Sequence, residues 1–403
     1  MIMANQVLTH QMIAREAAKM LEELAPFTAN INKGRQDEFG TDVSGFKKGD
    51  TVKIKIPTAG KVFDGATFAA GGSAADVIEE SVNLSLDTQK HIALQFGTKE
   101  KMLDISDFKE RILMPQMRTL ASVVEADLIS KAVLGVPNTV SMNTAGTNPS
   151  NALALARAKM NQYLAPAGDR STLITSTANV ALSGEISRLY NPTQASSKAY
   201  LDGYVATAFG QDLYEHQSIP THTKGTAETV TVAAASQTGD TIKMAAGTAG
   251  TLVKGEVITI AGVNAVHPLT GQDTGVLQQF VVTETVTVAT TATDVKIYPS
   301  INTTAPNKTV SAGPANTAAV TSVSVAGVQN LAFHKDAFTA AFAPLPVIAS
   351  CEGYTARLPS GISVRVMTFG DGNNDLERTR IDVLYGFQTV RGLHAVRIPQ
   401  VTS

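Results

Sequence analysis

Residues 81–96 alternate apolar and polar without a break long enough to reset the pattern. Val82, Leu84, Leu86, Ile92, Leu94 and Phe96 share one parity; Ser81, Asn83, Ser85, Asp87, Gln89, His91 and Gln95 occupy the other. A period of two puts these sets on opposite faces of a β-strand. As one strand the run would span roughly 50 Å at about 3.3 Å per residue, whereas an ordinary strand has about 5–6 residues. A strand this long is expected in an elongated body, not in a compact ball.

The segments before it fit such a body. Leu8, Met12, Met20, Leu21 and Leu24 fall near one face of an amphipathic helix over 5–24, with Arg15, Glu16, Lys19, Glu22 and Glu23 mostly elsewhere and Pro26 at its end. A helix ahead of any core must dock, either on its own domain or on a neighbouring subunit. Thr51 to Ile56 alternates cleanly, Val52, Ile54 and Ile56 against Lys53 and Lys55, and stops at Pro57. Lys61 to Asp76 is Gly/Ala-rich and contains Gly71-Gly72. Residues 41–76 are therefore expected to form a projecting two-stranded loop. A phosphate cradle is the alternative for the glycines, but no Gly-Lys-Ser/Thr follows them.

After the long strand, residues 106–134 read as a long helix. Leu113, Met117, Leu120, Val124 and Leu128 keep helical spacing, Ser106 can cap its start, and Gly135 and Pro137 stop it. Pro115 lies inside the pattern, so it marks either a kink or the first turn of a helix starting near Met114. Residues 149–221 read as mixed α/β, with helices near 150–164 and 177–189 around a short strand from Thr172 to Thr175.

At about residue 222 the texture changes. Thr, Val, Ala and Gly dominate 222–328, where Phe280 and Tyr298 are the only aromatics. Alternating runs at 229–233, 256–261, 280–288, 294–298 and 320–325 are separated by turn residues. This is the pattern of a small antiparallel barrel or sandwich, inserted in an α/β parent that resumes at 330–338. Residues 361–399 are strands again.

Motifs of chemistry are scarce. Asp371, Asn373 and Asp375 have the spacing of a calcium loop, but Leu376 stands where glycine is required and Asp382 where glutamate is, so a hairpin turn is the better reading. His216 and His222 straddle Pro220 and are the nearest thing to a metal pair; no His-Glu-x-x-His or Gly-x-Ser-x-Gly occurs. Cys351, alone, forms no intrachain disulfide and is expected to be a small buried residue. No catalytic, cofactor or metal site is expected.

The formal net charge of -2 gives no concentrated basic surface for wrapping nucleic acid. His10, Arg15, Glu16 and Lys19 interrupt any signal-peptide core, and no stretch approaches the roughly 18–20 apolar residues of a membrane span. A start in the cytoplasm and no membrane partner are expected.

The order of terminal helix, projecting loop, long strand, long helix, α/β region and closing strands resembles the HK97-like fold of tailed-phage and herpesvirus major capsid proteins. Gly255-Glu-Val-Ile-Thr-Ile-Ala-Gly-Val263, Thr274 to Val282 and Leu331-Ala-Phe-His-Lys-Asp-Ala-Phe338 look like the insertion domain of P22-type coat proteins and its return segment. The resemblance implies an α+β fold. Its parts would be an N-arm at 1–40, an E-loop at 41–76, and a P-domain from 77–135 and 354–403 with its spine helix at 106–134. An A-domain from 136–221 and 329–353 would carry the inserted β-barrel at 222–328. It implies a shell built of hexamers and pentamers around double-stranded DNA held non-specifically. It also implies scaffolding and portal proteins as partners, with a decoration protein as an optional one, assembly in a bacterial cytoplasm, and no catalysis. Leu8, Met12, Lys53, Lys55, Lys61, Gly71 and Gly72 are then the candidate inter-subunit contacts, and Pro115 the candidate bend of the spine. Lys53, Lys55 and Lys61 sit where some relatives crosslink, but no diagnostic motif accompanies them and crosslinking is not expected. The same fold in an encapsulin-like bacterial compartment shell is the alternative, one that would not ordinarily carry the insertion. A secreted β-rich adhesin is a weaker one, opposed by the missing signal peptide and the long helix.

Overall fold

A computed structural model describes residues 10–23, 25–34, 51–56, 79–97, 114–144, 149–189, 207–304, 307–371 and 376–401. The chain divides into two compact units. One holds the described parts of Met1–Ile54, Asn83–Ile129 and Phe338–Gln388; the other those of Lys55–Val82, Ser130–Ala337 and Thr389–Ser403.

In the first unit, β21 (Leu376–Thr389) is the central strand of a five-stranded sheet. β20 (Ser363–Asp371) pairs with it in a hairpin, β19 (Glu352–Arg357) follows β20, and β3 (Thr88–Gly97) and β18 (Phe338–Ala343) also pair with β21. Val364, Val366, Ile381, Val383 and Tyr385 are buried, as their alternation predicts. The sixteen-residue strand is not one strand. It is β2 (Glu80–Ser85) and β3, interrupted at Leu86–Asp87. β2 pairs with β1 (Thr51–Ile56), while β3 pairs with β21 from Thr88↔Tyr385 to Gly97↔Leu376. Parity runs through the break because both strands keep one face inward; the partner changes, and with it the strand.

Helix α1 (His10–Glu23) packs on β19 and β20, and His10 Nε2 meets Thr368 Oγ1 of β20 at 2.9 Å. It therefore docks on its own unit. Its buried face is Ala14, Ala17, Ala18 and Leu21, with Met20, and not the face centred on the larger residues: Met12 is 44% exposed. The alanines let the helix lie close to the sheet, and an i, i+3, i+4, i+7 set of small residues is as good a stripe as one of leucines. Pro26 opens a short second helix, α2 (Pro26–Asn30), which places Phe27 against Phe338 and Phe387 at 5.8 and 6.3 Å between ring centroids. Helix α3 (Met114–Gly135) buries Met117, Leu120, Ala121, Val124, Leu128 and Ile129 at helical spacing. The expected start at Ser106 lies outside the described residues.

The second unit contains a sheet in the order β4 (Met142–Asn143), β22 (Ala395–Val401), β17 (Gly327–His334), β5 (Arg170–Ile174), β7 (Gln211–Glu215), β6 (Thr207–Ala208). Ala152, Leu153, Ala156 and Met160 of α4 (Ser150–Gln162) and Ala178 and Leu182 of α5 (Ser176–Leu189) share a core with its Ile174, Leu213, Ala332, Val396 and Ile398. The closing strands thus divide: β20 and β21 lie in one sheet, β22 in another.

Between β8 (Thr221–His222) and β17, which pair with each other, the chain builds a closed six-stranded barrel. Its circuit is β10 (Gly239–Thr248), β15 (Thr293–Ile301), β13 (Asp273–Val282), β12 (Val257–Val266), β16 (Ala319–Ser322) and β9 (Glu228–Val232). A small two-stranded sheet, β11 (Gly250–Leu252) with β14 (Val286–Val288), accompanies it. Ile242, Met244, Ile258, Ile260, Phe280, Val282, Val295 and Ile297 fill the interior. Closure leaves the barrel no open sheet edge.

Candidate functional site

The residues expected at inter-subunit contacts fall into two groups. Leu8, Lys61, Gly71 and Gly72 lie outside the described residues. Met12, Lys53 and Lys55 are described, and all three are exposed. Lys53 and Lys55 stand on the outward face of β1, opposite buried Val52 and Ile54. Lys55 Nζ meets Glu79 Oε2 at 2.6 Å with both side chains more than half exposed, a pair worth little to stability. Pro115 is the second residue of α3 as described, where its missing N–H breaks no helical bond among the described residues, and its carbonyl accepts from Thr119 Oγ1 at 3.0 Å.

The described residues of the weak metal readings already have hydrogen-bond partners. His216 Nδ1 accepts the Ser218 N–H at 3.1 Å, and His222 Nε2 donates to the Lys254 carbonyl at 3.2 Å. Residues 372–375 of the calcium-like run lie outside the described residues, and β20 and β21 pair up to Asp371↔Leu376 on either side of them. Asp382, its last position, is wholly buried and already clamped: Arg365 donates to Oδ2 through Nε at 3.2 Å and Nη2 at 2.8 Å, and Arg380 to Oδ1 at 2.7 Å. Gln89 Nε2 of β3 adds a bond to Oδ1 at 3.0 Å. One carboxylate thus ties three neighbouring strands. Among the described residues no three His, Cys, Asp or Glu side chains form a metal-sized group. Cys351 is half-buried in a turn, not fully buried as expected, with Sγ 3.9 Å from Ser350 Oγ.

Three buried polar centres were not legible in the sequence. Glu125 is fully buried on the apolar side of α3 and accepts the backbone N–H of Thr28 at 3.0 Å; burial pushes its carboxyl up to about 7, against the lowering pull of the Thr28 and Phe27 backbone N–H groups and of Lys33. Tyr385 donates to Asp127 at 2.7 Å, and burial first, then that bond, holds the phenol well above its usual range. Arg397 of β22 is 1% exposed, its Nε and Nη2 meet no partner among the described residues, and burial lowers it to about 9. A groove of about 500 Å³ at the barrel is lined by Lys224, Val230, Leu252, Ile258 and Val320 among others. None of these brings a nucleophile, a base and a donor together in the manner of a catalytic centre.

Residues 40–396 match the family described as P22 coat protein, gene protein 5. The chain belongs to the P22 coat protein family. It is a major capsid protein, a structural subunit of the phage shell. Comparison with curated proteins returned no match. Among solved structures, this coat protein is similar to a chain of Mycobacterium phage Che8, with 12% identity, a TM-score of 0.47, and 93% of this chain and 90% of that chain covered. It is similar also to the capsid of cyanophage P-SCSP1u, with 12% identity, TM-score 0.46, and 94% and 99% covered. The mature capsid of bacteriophage PhiM1 gives 9% identity, TM-score 0.46, and 89% and 84% covered. With identities this low, the assignment of the coat protein rests on the family match alone. No described helix of it is long and apolar enough to cross a membrane.

Proposed function

We propose that this coat protein has the HK97-like organisation and assembles into hexamers and pentamers that close an icosahedral shell around phage double-stranded DNA, without catalysing any reaction. The observation that carries the reading is the closed barrel set into an α/β unit between two paired strands, β8 and β17. In this reading 1–40 is the N-arm and 41–76 the E-loop, whose strand β1 pairs with β2 of the P-domain. The P-domain is 77–135 with 354–403, and 136–221 with 329–353 is the A-domain that bears the 222–328 barrel. Lys53 and Lys55 support it as exposed positions on a strand pair available to a neighbour, and Met12 as an exposed apolar residue on α1. Pro115 lies in the first turn of the helix as described. Assembly takes place in the host bacterial cytoplasm with a scaffolding protein and a portal, and DNA is held without sequence preference, consistent with the net charge of -2. The compartment-shell alternative is not favoured by the family match.

The test is co-expression of the full chain with and without the phage's scaffolding protein, followed by light scattering and negative-stain microscopy. Closed shells or curved sheets are expected. A chain that stays monomeric at high concentration in both conditions would refute assembly, and shells lacking fivefold and sixfold capsomers would refute the organisation.

A further inference from the structure

The barrel is attached to its unit at more than its linkers. The linker attachment is stitched by Glu256, which is fully buried and accepts from Gly225 N–H and Val253 N–H at 3.1 Å each and from Ser322 Oγ at 2.5 Å. Gly225 lies just before the first barrel strand and Ser322 ends the last, so one carboxylate gathers the chain on its way in and out. A body held only there could still swing about that line.

A second attachment lies on β13. Residues 138–140 run beside β22: Arg397 N–H donates to Asn138 O at 2.8 Å and Val140 N–H to Arg397 O at 2.9 Å. In an extended segment alternate residues turn their N–H and C=O to opposite sides. Thr139 therefore presents both groups away from β22, as a strand edge does. The Gln279 side chain occupies that edge. Its Oε1 accepts Thr139 N–H at 3.0 Å and its Nε2 donates to Thr139 O at 3.3 Å. A primary amide has the same donor and acceptor as a peptide unit, so Gln279 acts as a one-residue strand. Beside it Gln278, 1% exposed, accepts from the Tyr163 hydroxyl at the end of α4 at 3.0 Å, and its Nε2 donates to Gln279 O at 2.8 Å. The β12–β13 ladder slips here, jumping from Thr259↔Gln279 to Asn264↔Leu277, which frees β13 to face the sheet unit. Thr259 is three residues from Glu256, so the two attachments are roughly 10 Å apart along the strand.

We propose that Gln278 and Gln279 are positioning residues that fix the angle at which the barrel is carried, and thereby the geometry that barrels present to neighbouring copies in the shell. Two attachments remove the rotation that one would allow. Each glutamine side chain accepts one bond and donates one, and neither belongs to the barrel's apolar core. The effect on shells rests on the assembly reading above; the latch itself does not.

The test uses the full chain with Gln279→Leu and, separately, Tyr163→Phe, which removes one bond and little volume. Thr139→Ser is the control, because the latch uses only the backbone of Thr139. Hydrogen exchange on unassembled subunits should show the Thr139 amide exchanging on the order of tenfold faster in Gln279→Leu, with β10 and β15 as protected as in wild type. Tyr163→Phe should speed it less, and Thr139→Ser not at all. Microscopy should then show shells of mixed diameter for the first two variants and uniform ones for the control. Unchanged Thr139 exchange in Gln279→Leu would overturn the latch. Faster exchange with shells of uniform wild-type diameter would overturn its role in shell geometry. Loss of β10 and β15 protection in both variants would also overturn the proposal, since the glutamines would then hold the barrel together instead of aiming it.

Discussion

Glu125 should make the N-terminal docking of this coat protein weaken as pH rises, the reverse of ordinary acid sensitivity. Its carboxyl is buried on α3 and accepts the Thr28 N–H, with burial raising its pKa from 4.5 to about 7. Below pH 4.5 it is protonated in both folded and unfolded chains and contributes no pH dependence. Between 4.5 and about 7 the unfolded chain has released the proton while the folded chain keeps it, so stability falls with rising pH. Above about 7 the loss is complete, at roughly 3 kcal/mol taken at about 1.4 kcal/mol per tenfold change. Glu125→Gln keeps an oxygen for Thr28 and removes the charge, along with its attraction to Lys33. The variant should gain about 2 kcal/mol over wild type at pH 8 and nothing at pH 4. Hydrogen exchange at Thr28 in unassembled subunits, corrected for intrinsic rate, reads this locally. Wild-type protection should drop between pH 5 and 8 while the variant stays flat. Equal wild-type protection at both pH values, or a variant less protected than wild type at pH 8, would show that Glu125 is ionised in the fold at no cost.

Asp382→Asn should cost about 3–5 kcal/mol in chemical denaturation, because it strands the buried Arg365 guanidinium between strands; a loss under 1 kcal/mol would mean that solvent already compensates the pair. The excised fragment 222–328 should fold alone and show β-sheet circular dichroism, and Phe280→Ala, which empties the centre of its core, should cost about 3–5 kcal/mol and melt it; a random-coil wild-type fragment would contradict this. Arg397→Met should raise the subunit's melting temperature by a few degrees, since the buried guanidinium gains no compensating partner among the described residues; a fall would reveal a partner for that charge.

Helices and barrel strands were legible because burial leaves a period. The stripe through Met117, Leu120, Val124 and Leu128 is the buried face of α3, and the runs at 229–233, 256–261 and 294–298 lie within or beside barrel strands. β10 was missed because Ile242, Met244 and Ala246 alternate weakly among Ala, Gly and Lys. The face of α1 was misplaced because Met12 and Leu8 outweigh Ala14 and Ala17 in apolarity, whereas close packing on β19 and β20 selects small residues. The split of residues 81–96 had no local signal either. Alternation reports which side of a strand is covered, and that side stays the same when the partner changes from β1 to β21.

The polar centres mark the limit of that kind of reading. Glu125, Asp382 and Arg397 look in sequence like solvated charges, because a period registers apolar residues and lets a single charge pass as an edge of the stripe. Their roles depend on partners 97, 17 and more residues away, or on having none. Gln278 and Gln279 are harder still, being uncharged and set in a strand whose alternation they interrupt by one position. The interruption is the usable signal. Leu277-Gln-Gln-Phe280 breaks the parity that Phe280 and Val282 obey, and a strand that breaks parity beside two amides has room to turn one of them outward. In a protein whose work is to meet copies of itself, the angle between layers matters as much as the layers, and that angle is written in such isolated amides rather than in the apolar pattern.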